Sequence, residues 1–109
     1  MYPESPFFAV NELPQDFLRP GTERRSLRLG EVLFMFISFD RPTISPPHQH
    51  EWDSIIYVDQ GEFDVRVGDQ HHRLVPGEGT VVPAGVEHTL TTDPGSRLIE
   101  IWYPVKEDG

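Results

Sequence analysis

Phe63, Val65 and Val67 alternate with Glu62, Asp64 and Arg66, so this segment has one apolar and one charged face. That period-two pattern predicts a half-buried antiparallel strand. Upstream, Val32-Leu33-Phe34-Met35-Phe36-Ile37-Ser38-Phe39 runs without polar alternation, as a strand covered on both faces should. One cover is the core. The other is either the N-terminal residues or a second copy of the chain, which predicts a homodimer. Further short apolar segments lie at Ser54 to Val58, His71 to Val75, Thr80 to Val82, Glu87 to Thr92 and Arg97 to Tyr103. Gly61, Gly68-Asp69, Pro76-Gly77-Glu78-Gly79 and Asp93-Pro94-Gly95-Ser96 separate them, and such spacing predicts an all-β sandwich or barrel. Before this series, Pro3, Pro6, Pro14 and Pro20 preclude a long helix. Residues 1–29 therefore read as an N-terminal arm packing on the barrel, with one helical turn near Gln15 to Leu18, and residues 30–109 as a single barrel domain. Pro42 to Pro47 reads as a bend.

With 109 residues the chain forms one domain, and its 25% charged and 37% hydrophobic residues suit a soluble globular protein. No apolar run reaches the length of a membrane span, and Met1-Tyr2-Pro3-Glu4-Ser5-Pro6 lacks a signal-peptide pattern, so the expectation is a cytoplasmic protein without a membrane partner. A net charge of -9, with Lys106 as the single lysine, argues against nucleic acid and is accounted for by solubility. The absence of cysteine removes disulfides, thiolate metal sites and cysteine nucleophiles together. Any metal must then be held by nitrogen and oxygen.

Histidine supplies that nitrogen. In Pro47-His48-Gln49-His50 an extended chain sends His48 and His50 into one space. His88 follows the tight turn Pro83-Ala84-Gly85, and alternating strands and turns can return it to the first pair. Three neutral imidazoles leave room on an ion for water or substrate, the arrangement of a reactive site. A lone His-x-His is more often an ordinary strand pair, so the weight rests on the trio. His71 and His72 are adjacent, hence on opposite faces, and read as exposed strand residues.

The order of these residues resembles the cupin superfamily. His48-Gln49-His50-Glu51-Trp52-Asp53-Ser54, six residues and Gly61 look like its first motif; Gly77, five residues, Pro83-Ala84-Gly85, two residues and His88 look like its second. The resemblance implies a double-stranded β-helix, the cupin jelly-roll barrel, with His48, His50 and His88 as ligands of one divalent transition metal ion such as Zn, Ni, Fe or Mn. Two positions depart from the pattern. Ser54 stands where a fourth ligand, Glu or Gln, is usual; it shares strand parity with His48 and His50 and would reach an ion only through water. Thr92 stands where Asn is usual. Asp53 and Glu51 have the opposite parity and would need a bulge to turn inward.

Within the superfamily the chain resembles the small uronate-linearising cupins of pectin and alginate breakdown, through Glu23-Arg24-Arg25, the motif positions and the tail Leu98-Ile99-Glu100-Ile101-Trp102-Tyr103-Pro104-Val105-Lys106-Glu107-Asp108. If Leu98, Glu100 and Trp102 face the barrel interior, Glu100 is a carboxyl of raised pKa that can act as the catalytic proton-transfer group. If Ile99, Ile101 and Tyr103 face inward, Glu100 is merely solvated. Trp102, Tyr57 and Trp52 are candidates for walling a ring-shaped substrate, against a plain core role. Arg24, Arg25, Arg66 and Lys106 are candidates for holding a substrate carboxylate, Arg66 being the most readily explained as an exposed strand charge. Three functions follow: a metal-dependent enzyme acting on a small anionic sugar or keto acid by proton transfer, a three-histidine Fe(II) dioxygenase, or a non-catalytic ligand- or metal-binding module. Ligating imidazole must be unprotonated, so bound metal is expected to leave below about pH 6.

Overall fold

The computed structural model describes residues 5–106. The Met1–Glu4 start of the expected arm and the Glu107-Asp108 end of the tail motif lie outside the described residues. Among the described residues ten strands form two antiparallel sheets: β1 Gln15–Arg19, β2 Thr22–Leu29, β3 Val32–Phe39, β4 Thr43–His48, β5 Asp53–Gln60, β6 Phe63–Val67, β7 Gln70–Leu74, β8 Gly79–Val82, β9 His88–Thr92 and β10 Ser96–Tyr103. One sheet has the order β1-β2-β3-β10-β5-β8 and the other β4-β9-β6-β7. This is an all-β jelly roll. No helix among the described residues is long and apolar enough to cross a membrane.

The apolar alternation builds the core. Met35, Ile37 and Phe39 of β3, Ile56 and Val58 of β5, and Leu98 of β10 face Phe63 and Val65 of β6, with Leu74 and Val82 completing the cluster. Phe39 and Phe63 meet edge to face at 5.4 Å. Where β5 turns into β6, Gly61 has φ +77°, and a Cβ there would collide with the Ser96 side chain. Only glycine suits both demands.

Gln15 to Leu18 is not a helical turn. It lies in β1, which pairs with β2 through the Gly21 turn, placing Asp16 opposite Arg24. Five residues make little helix on their own, whereas the edge of a formed sheet supplies partners at once. The helical turn lies instead at Val10–Glu12. Pro42 to Pro47 is likewise more than a bend, since Pro46 and Pro47 belong to β4, which closes one edge of its sheet as prolines require.

On the outward face of β3, Phe34 and Phe36 are half-buried and pack together at 5.2 Å. A cluster of exposed apolar side chains lies on the strands beyond it, where Ile55 and Tyr57 of β5, Val81 of β8 and Tyr103 of β10 share the outer face of the larger sheet.

Candidate metal centre

His48 ends β4 and is the direct cross-strand partner of His88, which begins β9. The register slips between Ser45 and His48, where Pro46 and Pro47 lack N–H groups for the ladder, and this irregularity brings the two imidazoles level. His50 follows just past the strand. Two hydrogen bonds clasp it to the second motif: Gly85 N–H donates to the His50 carbonyl, and Ala84 N–H donates to Asp53 Oδ1, both at 2.8 Å. Asp53, weighed above as a ligand, is therefore a brace between the motifs.

The ring centroids of His48 and His88 lie 4.1 Å apart, with His50 at 5.0 and 5.2 Å from them. The ligand atoms of all three lie within 4.8 Å of one another. His48 Nδ1 donates to the Pro46 carbonyl at 2.9 Å and His88 Nδ1 to the Val86 carbonyl at 3.1 Å. A carbonyl can only accept, so both rings carry a proton on Nδ1, and it is Nε2 of each that is available to an ion. The His50 ring stacks on Trp52 at 5.0 Å and 10° and contacts Trp102 at 4.9 Å. Burial, then the charges of His48 and His88, pushes His50 down to about 4. Burial also lowers His88. Oriented, convergent imidazoles fit a divalent transition metal ion.

Beside the trio is a cavity of about 320 Å³ whose wall includes Glu100, Trp102 and Arg24. Leu98, Glu100 and Trp102 thus form the inner face of β10. Trp102 Nε1 donates to Glu100 Oε2 at 2.6 Å. Burial raises the Glu100 carboxyl, opposed by the Trp102 hydrogen bond and the charges of His48 and Arg24.

A cupin domain profile matches residues 36–102, more than half of the chain. The chain belongs to the cupin family. This cupin is similar to the solved structure of KdgF from Halomonas sp., with 32% identity, a TM-score of 0.84, and coverage of 95% of this chain and 97% of that one. It is also similar to an RmlC-like cupin from Shewanella frigidimarina, with 28% identity, a TM-score of 0.85 and coverage of 99% and 98%. The polyketide cyclase RemF from Streptomyces resistomycificus shares the fold at 22% identity and a TM-score of 0.75, over 90% of this chain and 78% of that one. The comparison with curated proteins returns no match.

Other candidate residues of the cupin fall outside the cavity wall. Ser54 points inward like Ile56 and is buried, and it is not part of the cavity wall. Tyr57 is a correction: it has the opposite parity to Ile56 and Val58 and stands exposed on the outer sheet face, away from the cavity. Lys106 is also outside, exposed and paired with Glu31 at 3.1 Å. Arg25 pairs with Glu23 on the outer face, and Arg66, His71 and His72 are exposed. Trp52 braces His50.

Sequence reasoning missed the partner of Arg24. Arg24 Nε and Nη2 donate to Asp16 Oδ1 and Oδ2 at 2.9 and 2.5 Å, while Nη1 faces Met35 Sδ at 3.9 Å. Asp16 and Arg24 are equally spaced about Pro20, a signal that a hairpin reading of Pro20-Gly21 exposes.

Proposed function

We propose that this cupin is a metal-dependent enzyme acting on a small anionic sugar or keto acid by proton transfer, of the uronate-linearising type. The carrying observation is that a desolvated carboxyl, Glu100, and three convergent imidazoles line one cavity. The motif resemblance and the similarity to Halomonas KdgF support the same reading. His48, His50 and His88 would hold one ion, Zn, Ni, Fe or Mn, which when bound polarises an oxygen of the substrate. Glu100, its carboxyl raised by burial, gives and takes a proton at a substrate carbon or ring oxygen. The indole N–H of Trp102 fixes the carboxyl, and its ring walls the cavity. Arg24, anchored by Asp16, turns Nη1 inward to receive a carboxylate. Neither Tyr57 nor Lys106 takes part.

Glu100→Ala is expected to lose turnover of unsaturated uronates while keeping its metal. Full activity of that variant on every uronate tried would remove the acid-base role. A second reading, a three-histidine Fe(II) dioxygenase, draws on one observation: among the described residues no carboxylate joins the three nitrogen ligands. Oxygen consumption stoichiometric with product would establish it, and an anaerobic reaction at the aerobic rate would eliminate it. Stoichiometric ligand binding without turnover would make the protein a binding module. We further infer that the cupin forms a homodimer through the outer face of its larger sheet.

A further inference from the structure

Two arginines line the cavity, Arg24 and Arg19. Arg24 gives Nε and Nη2 to Asp16. Arg19 is half-buried and, among the described residues, pairs with no carboxylate. Its place follows from the register of β1. Asp16 lies opposite Arg24 and Phe17 opposite Glu23, so a regular ladder would set Leu18 opposite Thr22; the register shifts after Phe17, and Arg19 takes that position instead. Directly opposed residues of an antiparallel pair share a face, and Thr22 is wholly buried on the inner one. Such a bulge re-aims a side chain, and here Leu18 and Arg19 both reach the cavity wall. Along β3 Arg24 is level with Ile37, Thr22 with Phe39 and Glu100 with Met35. Arg19 thus stands one inward position beyond Arg24, about 7 Å further from Glu100.

Arg41 adds to the charge at this end. Its stem crosses Gly21 in the turn that follows Arg19, where a Cβ would lie 2.7 Å from Arg41 Cγ and 2.8 Å from Cδ. Arg41 also lacks a carboxylate partner among the described residues and is exposed. In a chain of net charge -9, two uncompensated arginines side by side make a local positive field. The apolar wall of Ile37, Phe39 and Leu98 focuses it into the cavity. We propose that Arg19 is a specificity residue that holds the ligand's carboxylate together with Arg24 Nη1, while Arg41 draws the anion to the same end. The proposal rests on the sugar-acid reading above and deepens it. Arg24, with two of its donors occupied by Asp16, does not select the anion alone.

The test titrates the metal-loaded protein with galacturonate, and with galactose as its neutral counterpart, by calorimetry. The wild type is expected to prefer galacturonate. Arg19→Gln removes the charge and should weaken galacturonate about tenfold while leaving galactose unchanged. Arg19→Lys should recover part of the loss, because it restores the charge without the fork. Arg41→Gln should cost galacturonate less, and only at low salt, since a field is screened where a direct contact is not. Wild-type galacturonate affinity in Arg19→Gln overturns the proposal. An equal loss of both sugars in that variant also overturns it, by making Arg19 a prop of the fold. A preference that survives Arg19→Gln and falls in Arg24→Gln leaves the anionic-substrate reading standing on Arg24 and removes Arg19 alone. A wild type that binds both sugars equally, or neither, overturns both.

Discussion

Glu100 is held in a state that folding by itself disfavours. Its carboxyl is raised by burial, so an unfolded chain, ionising near the ordinary value of 4.5, gains relative to the folded one as pH rises above that point. The loss accumulates up to the raised value and persists above it. Glu100→Gln, which keeps an oxygen for the Trp102 N–H, is therefore expected to raise the melting temperature of chelator-treated protein at pH 7 to 8. It should also lower turnover by at least about a hundredfold. An unchanged melting temperature would show that the carboxyl is not under strain. His50 carries the opposite linkage. Held down to about 4, it stays neutral while an unfolded histidine protonates near 6.5. Metal-free protein should lose stability as pH falls from about 6.5 to about 4, and metal should be retained further into acid than free imidazole would allow. Thermal melts and metal analysis across that window check both. Release complete at pH 6.5 would contradict the depressed imidazoles.

At the scale of elements, the centre depends on how two short motifs are clasped. The braces from Gly85 to the His50 carbonyl and from Ala84 to Asp53 fix the turn that launches His88 into β9. Asp53→Ala removes one brace without touching a ligand, and we expect about a tenfold loss of metal affinity, measured by competition with a chelating dye. Equal affinity would make Asp53 dispensable. The same elements explain what was legible in the sequence. His48, His50 and His88 stood out because extended-chain parity and a Pro-Gly turn constrain direction locally. The outward position of Tyr57 was readable from the alternation of Ile56 and Val58, and the inward position of Glu100 was not, because Leu98 to Trp102 is apolar on both faces. β1 was hidden because an edge strand owes its form to the sheet it joins, and Gln15 to Arg19 carries no apolar alternation of its own. Arg19 was unreadable as a cavity residue, since its inward turn depends on the register shift between β1 and β2.

For the whole molecule, the larger sheet presents apolar side chains to solvent across neighbouring strands. Val81 is 62% exposed and Tyr103 54%, with Ile55 and Tyr57 between the same strands and Ile101 half-buried beside them. Contiguous exposure of this kind drives association. The net charge of -9 opposes it, because two copies repel before they touch. These two effects scale differently with salt: screening shortens the repulsion and leaves apolar burial in place. We therefore expect a dimer by light scattering whose dissociation constant falls as sodium chloride rises from about 0.01 to about 0.5 M. Val81→Asp should give a monomer that still binds metal, because β8 meets β5 on the sheet's far edge and its outward side chain is remote from the histidines. A wild-type monomer at every salt concentration would mean that this face is simply solvated. A dimer that weakens with salt would point to charged contacts elsewhere, such as the Arg73, Glu62 and Asp64 network on the smaller sheet.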